Sequence, residues 1–232
     1  MTSPDAHPSA NPIEDTPEPT QHQRLSVMGR EWTFRKFDER TALAISQAHG
    51  LPAAVAEAIT ARGIGIDEVV SFIDPTLKDL LPDPSRFRDM DKAANRIADA
   101  LLSGEKIALF ADYDVDGATS SSVMARFLRA CGNDPIVYIP DRISEGYGPS
   151  EPALQKLAAQ GAKLIITLDC GTTAFDALGA GRDLNVDIIV IDHHEAEPKL
   201  PDVHAVVNPN RMDEDRVYGH LCTAGLAFIM AV

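Results

Sequence analysis

From about Met90 onward, short continuous apolar runs alternate with stretches of helical period. DKAANRIADALLSG reads as an amphipathic helix stopped at Gly104, and KIALFA follows as a buried strand. A helix is predicted from Ala118 to about Cys131, with Val123, Met124, Phe127, Leu128 and Cys131 on one face and Gly132 as its stop. Strand PIVYIP, loop DRISEGYGPS, helix EPALQKLAAQ and strand LIITLD come next. Another helix over about Thr173 to Leu184 leads to strand VDIIVID, and VHAVVNP reads as one further strand. Strands alternating with short helices imply βαβ units, hence an α/β fold with a parallel, Rossmann-like sheet flanked by helices.

The N-terminal third differs. Residues 1–30 carry five prolines in the first twenty positions among Ser, Thr, Glu and Gln, too little apolar surface to offset ordering entropy, so a disordered tail is expected. Residues 31–88 hold ERTALAISQAHG, LPAAVAEAITARGIG and IDEVVSFID, each ending at Gly or before Pro, which predicts a small helical segment without a chemical motif. Residues 89–232 form the α/β domain. The apolar helix start CTAGLAFIMAV stops at Val232 without a cap or polar finish, so this domain is expected to be truncated at its C-terminal end.

Composition narrows the function. Hydrophobic residues make up 44% of the chain, ample for a core, and 35 acidic against 21 basic residues leave a net charge of −14. That balance argues against a nucleic-acid grip built on a broad basic surface, although cations could still neutralise a phosphate locally. Cys131, Cys170 and Cys222 show no CxxC spacing, so neither a zinc site nor a disulfide framework is indicated. A cytoplasmic setting is expected, with no secretory signal and no apolar run of about 18 residues to span a membrane.

Three acidic clusters each follow an apolar strand: Asp112-Tyr113-Asp114-Val115-Asp116-Gly117, Asp169-Cys170-Gly171-Thr172 and Asp192-His193-His194. Ligands of open parallel sheets bind beyond the carboxyl ends of the strands, so the three clusters are expected at one rim. Asp112, Asp114 and Asp116 alternate at period 2, and Gly117 is expected to supply freedom at φ for a tight strand-to-helix turn. A calcium loop also opens D-x-D-x-D-G, but its twelfth position, normally Glu, is Val123, and a strand precedes it instead of a helix. Asp169 alone is equally a helix cap or loop residue, and Cys170 reads as a small buried thiol. Two carboxylates about 4 Å apart repel by roughly 4 kcal/mol at an effective dielectric near 20. Several such contacts rival the stability of a whole domain, about 5–15 kcal/mol. Two divalent ions about 3.5–4 Å apart would turn that repulsion into attraction, acidify a water and clamp a phosphodiester. Carboxylate with imidazole suits Mn²⁺, and carboxylate alone suits Mg²⁺.

DYDVDGATSSS, LDCGT and IDHHEAE, in this order and spacing, resemble the first three motifs of the DHH phosphoesterase superfamily. The loop Arg142-Ile143-Ser144-Glu145-Gly146-Tyr147-Gly148, the later VVNPNR and LCTAGLAF, and the earlier SFIDPTLKDLLPDP are similar to its RecJ family of bacterial single-strand-specific DNA exonucleases. The resemblance implies a site with two Mn²⁺ or Mg²⁺ ions. Asp114, Asp116, Asp169 and His193 would be metal ligands, and Asp112 and Asp192 would be further carboxylates in or behind the ligand set. His194 would contact the scissile phosphate, with Arg142 as a phosphate partner, and Tyr147 would either stack or hydrogen-bond near the strand or equally serve as a loop anchor. The implied activity is 5′→3′ hydrolysis of single-stranded DNA in repair and recombination, alongside partners such as a single-strand-binding protein and a helicase. As an N-terminal piece, the chain alone is expected to bind Mn²⁺ weakly and to digest DNA poorly or not at all. A small-molecule phosphodiesterase or pyrophosphatase of the same superfamily would share the three motifs, and a scaffold subunit would share the fold. A haloacid-dehalogenase-type phosphatase also places Asp-x-Asp after a strand but has no need of Asp-His-His.

Overall fold

The structure, a computed structural model, describes residues 27–30, 33 and 35–232. The tail expected at residues 1–30 therefore lies outside the described residues except at residues 27–30. The chain divides into two compact units, Met1–Leu80 and Leu81–Val232.

In the first unit, α1 (Glu39–His49) is capped by Asp38, whose carboxylate accepts from the Thr41 N–H at 3.0 Å, and it closes on Gly50 at φ +64°. Then come α2 (Ala53–Thr60), α3 (Val69–Ile73) and α4 (Leu77–Leu80). Ile45, Ala56, Ile59 and Val69 form a small core, with Leu51 and Ile64 packed against it.

The second unit contains α5 (Met90–Leu102), β1 (Lys106–Ala111), α6 (Val115–Ala130), β2 (Ile136–Tyr138), α7 (Glu151–Ala159), β3 (Ala162–Leu168), α8 (Phe175–Asp183), β4 (Asp187–Ile191), β5 (Ala205–Val207) and α9 (Thr223–Ala231). The five strands form one sheet in the order β2-β1-β3-β4-β5, every pairing parallel. Successive strand residues point to opposite faces. On one face Ile107, Leu109, Leu164, Ile166, Ile189 and Val207 pack with α5, α6 and α9. On the other, Ala108, Phe110, Ile165, Ile188, Val190 and Val206 pack with α7 and α8. Burial on both faces explains the near-continuous apolar strands.

After β1 the chain moves outward to β2, then returns past β1 to β3 and continues to β4 and β5. The direction of winding therefore reverses between β1 and β3, and the loops leaving their carboxyl ends diverge to leave a crevice.

Two local details depart from expectation. Helix α6 begins at Val115, before the expected Ala118, because Asp114 caps it by accepting from the Asp116 and Gly117 amides at 2.9 and 3.0 Å. Gly117 lies inside that helix and is not among the positive-φ glycines. Its need is steric: an added Cβ would lie 2.2 Å from the Asp112 carbonyl oxygen, so the glycine lets α6 settle on the end of β1. Cys131, expected on the apolar face of α6, is exposed because the helix ends at Ala130 and Gly132 turns the chain at φ +85°.

Candidate metal centre

Ala111, Leu168, Ile191 and Val207 lie in register across β1, β3, β4 and β5. The next residue of each strand continues the row: Asp112, Asp169, Asp192 and Asn208. The Asp112 amide donates to the Leu168 carbonyl at 3.1 Å, Asp169 to Ile191 at 3.0 Å and Asp192 to Val207 at 3.0 Å. All four of these polar residues are buried. A last rung of the ladder thus places three carboxylates and an amide side by side at the carboxyl edge, next to the crevice.

The loops add the rest. Ligand atoms of Asp112, Asp114 and Asp169 lie within 4.8 Å of one another, and so do those of Asp169, His193 and His194. Asp169 is common to both groups. It takes a left-handed backbone at φ +63°, accepts from the Thr223 hydroxyl at 3.1 Å and lies 3.4 Å from His193 Nε2. Burial, then the charges of Asp116 and Asp114, push its carboxyl up to about 8. Burial likewise raises Asp112, one of whose carboxylate oxygens is enclosed without a hydrogen-bond partner among the described residues. Asp114 goes the other way, held below the usual range by the Gly117 amide it accepts from.

Asp116 is differently engaged. Its two oxygens accept from the Thr223 and Ala224 amides, both at 2.8 Å, at the amino end of α9. The positive end of that helix therefore faces the acidic cluster. His193 Nε2 stands 3.7 Å from Asp116 and so links it to Asp169.

Asp192 works behind the histidines. One oxygen accepts from the His193 and His194 amides at 2.7 and 3.2 Å and meets His194 Nδ1 at 2.7 Å, while the other accepts from the Thr172 amide at 3.1 Å. Burial alone would raise this carboxyl, but the bonds from His194 and Thr172 outweigh it and hold it at about 2. The same bond lifts His194 to about 9 against burial, so the ring is cationic near neutrality and its Nε2 faces away from Asp192.

Tyr147 donates its hydroxyl to the Asp169 carbonyl at 3.2 Å and sets its ring edge-on to His194, centroids 6.1 Å apart. Arg142 is exposed, its guanidinium 5.2 Å from the centre of the Tyr113 ring. Cys170 is fully buried and burial pushes its thiol up, so it is poorly suited to act as a thiolate.

Thr172, Asn208, Asn210 and Thr223 carry no role in the sequence reading, yet each touches the cluster. Asn208 donates to the Thr172 hydroxyl and the His194 carbonyl, both at 2.9 Å, and Asn210 donates to the His193 carbonyl at 2.5 Å. The available signal is Asn208 closing VHAVV as Asp closes β1, β3 and β4.

The donor set tests well for a divalent cation. The converging atoms are carboxylate oxygen and imidazole nitrogen without thiolate, an arrangement suited to Mn²⁺ or Mg²⁺ and not to a sulfur-ligated metal. The partnerless Asp112 oxygen and the raised Asp169 carboxyl are what unneutralised ligands look like.

This chain belongs to the DHH family: residues 106–232, from the start of β1 through every residue of the cluster, match that family's N-terminal domain. It is 35% identical over 200 residues to the single-stranded-DNA-specific exonuclease RecJ of Bacillus subtilis (strain 168), an alignment covering 86% of this chain and 25% of that protein. A crystal structure of exonuclease RecJ bound to manganese superposes with a TM-score of 0.58 at 32% identity, covering 62% of this chain and 37% of that one. RecJ of Thermus thermophilus in complex with Mn²⁺ gives a TM-score of 0.66 at 27% identity, covering 83% and 26%. The chain thus spans between 25% and 37% of the length of these relatives. Among the described residues, no helix is long and apolar enough to cross a membrane.

Proposed function

We propose that this chain carries the metal centre of a 5′→3′ exonuclease that hydrolyses phosphodiester bonds of single-stranded DNA. The carrying observation is the convergence of Asp112, Asp114 and Asp169, and of Asp169, His193 and His194, at one sheet edge. Similarity to RecJ exonucleases, two of them manganese-bound, supports the substrate and the ion.

Asp112, Asp114, Asp116, Asp169 and His193 would hold two Mn²⁺ or Mg²⁺ ions, and Asp192 holds the histidine loop. When bound, such ions polarise a phosphoryl oxygen and lower the pKa of water. The protein's own groups do the remainder. Asp192 keeps the proton on His194 Nδ1, so the opposite nitrogen is a cationic donor for a phosphate oxygen. Arg142, lying over Tyr113 beside the acidic turn, offers a second donor with forked geometry. Tyr147 walls the crevice and fixes the Asp169 main chain. On this reading the protein serves DNA repair and recombination in the cytoplasm, acting on strands prepared by a helicase and met by a single-strand-binding protein.

End-labelled oligonucleotides test this. With the full-length protein, label at the 5′ end of a single strand should be released first in Mn²⁺, with none released in EDTA or by Asp169→Ala. Release from the 3′ end, or faster turnover of a cyclic dinucleotide than of the strand, would overturn the assignment. Unchanged turnover in Asp114→Ala combined with His193→Ala would point to a scaffold.

A further inference from the structure

We infer that Asn210 and Asn208 are positioning residues: their side-chain amides set the backbone of the His193-His194 pair and thereby aim His193 Nε2 at Asp169 and Asp116. The inference rests on the metal-centre reading above.

Asn210 reaches across from the segment after β5. Its Nδ2 donates to the His193 carbonyl at 2.5 Å and to the Gly219 carbonyl at 3.2 Å. Asn208, fully buried, donates to the His194 carbonyl and the Thr172 hydroxyl, while its own oxygen accepts from the Asn210 amide at 2.7 Å. Thr172 donates its amide to Asp192, whose other oxygen holds the amides of both histidines. The peptide groups of the pair are therefore gripped from both sides, N–H by Asp192 and C=O by the two asparagines. With the backbone held, only side-chain torsions remain to swing His193 away from Asp169 at 3.4 Å and Asp116 at 3.7 Å.

The grip is itself built. The carbonyl of Asn210 accepts from Arg216 Nη2 at 3.2 Å, and Arg216 holds a left-handed backbone at φ +58° to turn the chain toward Gly219. A Cβ at Gly219 would lie 2.5 Å from Asn210 Oδ1. Gly219 therefore leaves the room in which the amide sits. Partners that orient metal ligands without touching the metal commonly change metal affinity 10–100-fold when mutated.

The test titrates Mn²⁺ into the chain, with free ion read by electron paramagnetic resonance, and follows histidine ring NMR signals in EDTA. Asn210→Asp keeps the volume and removes the donor. It should weaken Mn²⁺ binding at least about tenfold and shift the His193 ring signals without metal, leaving those of His204 in place. Gly219→Ala should do the same more mildly and decides the matter if Asn210→Asp does not fold. Asn133→Asp is the control, because its amide donates to the Glu105 carbonyl at 2.9 Å, at the start of β1. It should lower the unfolding temperature and leave Mn²⁺ affinity alone. Equal Mn²⁺ affinity in the unsubstituted chain, Asn210→Asp and Gly219→Ala, with stability losses like that of Asn133→Asp, would reduce the asparagines to structural residues. Failure of the unsubstituted chain to bind Mn²⁺ would instead remove the nuclease reading.

Discussion

Asp169 shows at single-residue scale how the site opposes the fold. Its carboxyl is buried between Asp114, Asp116 and His193, and among the described residues the Thr223 hydroxyl is the donor it accepts from. Asparagine tolerates the left-handed backbone this position requires. It would also replace a carboxyl that the fold forces to take up a proton with an amide able to donate to its neighbours. Asp169→Asn should therefore raise the metal-free unfolding temperature by the equivalent of roughly 1 kcal/mol or more, since each unit of pKa shift is worth about 1.4 kcal/mol. Mn²⁺ affinity should fall at least about tenfold. Thermal unfolding in EDTA and in Mn²⁺ reads both, and a lower metal-free midpoint would refute the repulsion argument. Asp112, Asp114, Asp169, Asp192 and the two histidines were legible in sequence because clustered charge after an apolar run has no ordinary structural use. Thr172, Asn208 and Thr223 were not, because one Thr or Asn in a turn is commonplace. Their roles come from partners 20 residues away for Thr172 and Asp192, and 54 for Thr223 and Asp169.

Elements were legible where periodicity is local: β1, β3 and β4 are continuous apolar runs, and α5 buries Met90, Ala93, Ile97 and Ala100 along one stripe. The start of α6 departs from the periodic pattern because a side-chain cap decides it. The order of strands has no local signature, since the reversal between β1 and β3 follows from which face each crossover helix covers. Two substitutions probe what joins the elements. Gly117→Ala forces a methyl against the Asp112 carbonyl, backbone that cannot easily yield, and should cost about 1–3 kcal/mol by denaturant unfolding. Arg211 ties α5 to β5: it bonds Asp89 at 2.9 Å, Asp213 through two nitrogens and the Val206 carbonyl at 2.6 Å. Asp89 in turn accepts from the Val206 amide at 3.1 Å. Breaking a buried pair typically costs about 3–5 kcal/mol. The partly exposed Asp89 and Asp213 can rehydrate, so Arg211→Leu should fall at the low end in urea.

For the whole molecule, the cluster makes stability depend on pH and metal together. The Asp169 carboxyl, at about 8 in the fold against 3.8 for the free group, binds protons in the folded state that the unfolded chain releases. That contribution is complete below about pH 4 and is lost as pH rises through about 8. His194, raised from 6.5 to about 9, gives stability that is complete below about pH 6.5 and lost as pH rises through 9. Asp192, lowered to about 2, acts in the opposite sense: its contribution is present above about pH 4 and lost as pH falls toward 2. In EDTA the unfolding temperature of Leu81–Val232 should therefore be highest near pH 4 and decline from there to about pH 9. A divalent ion competes with those protons for Asp169, so saturating Mn²⁺ should flatten the decline and release protons on binding near neutral pH. Calorimetric titration in buffers of different ionisation enthalpy counts those protons. A metal-free midpoint that rises from pH 7 to 9, or Mn²⁺ binding without proton release, would show that the carboxylates are not held against one another as the sheet edge places them.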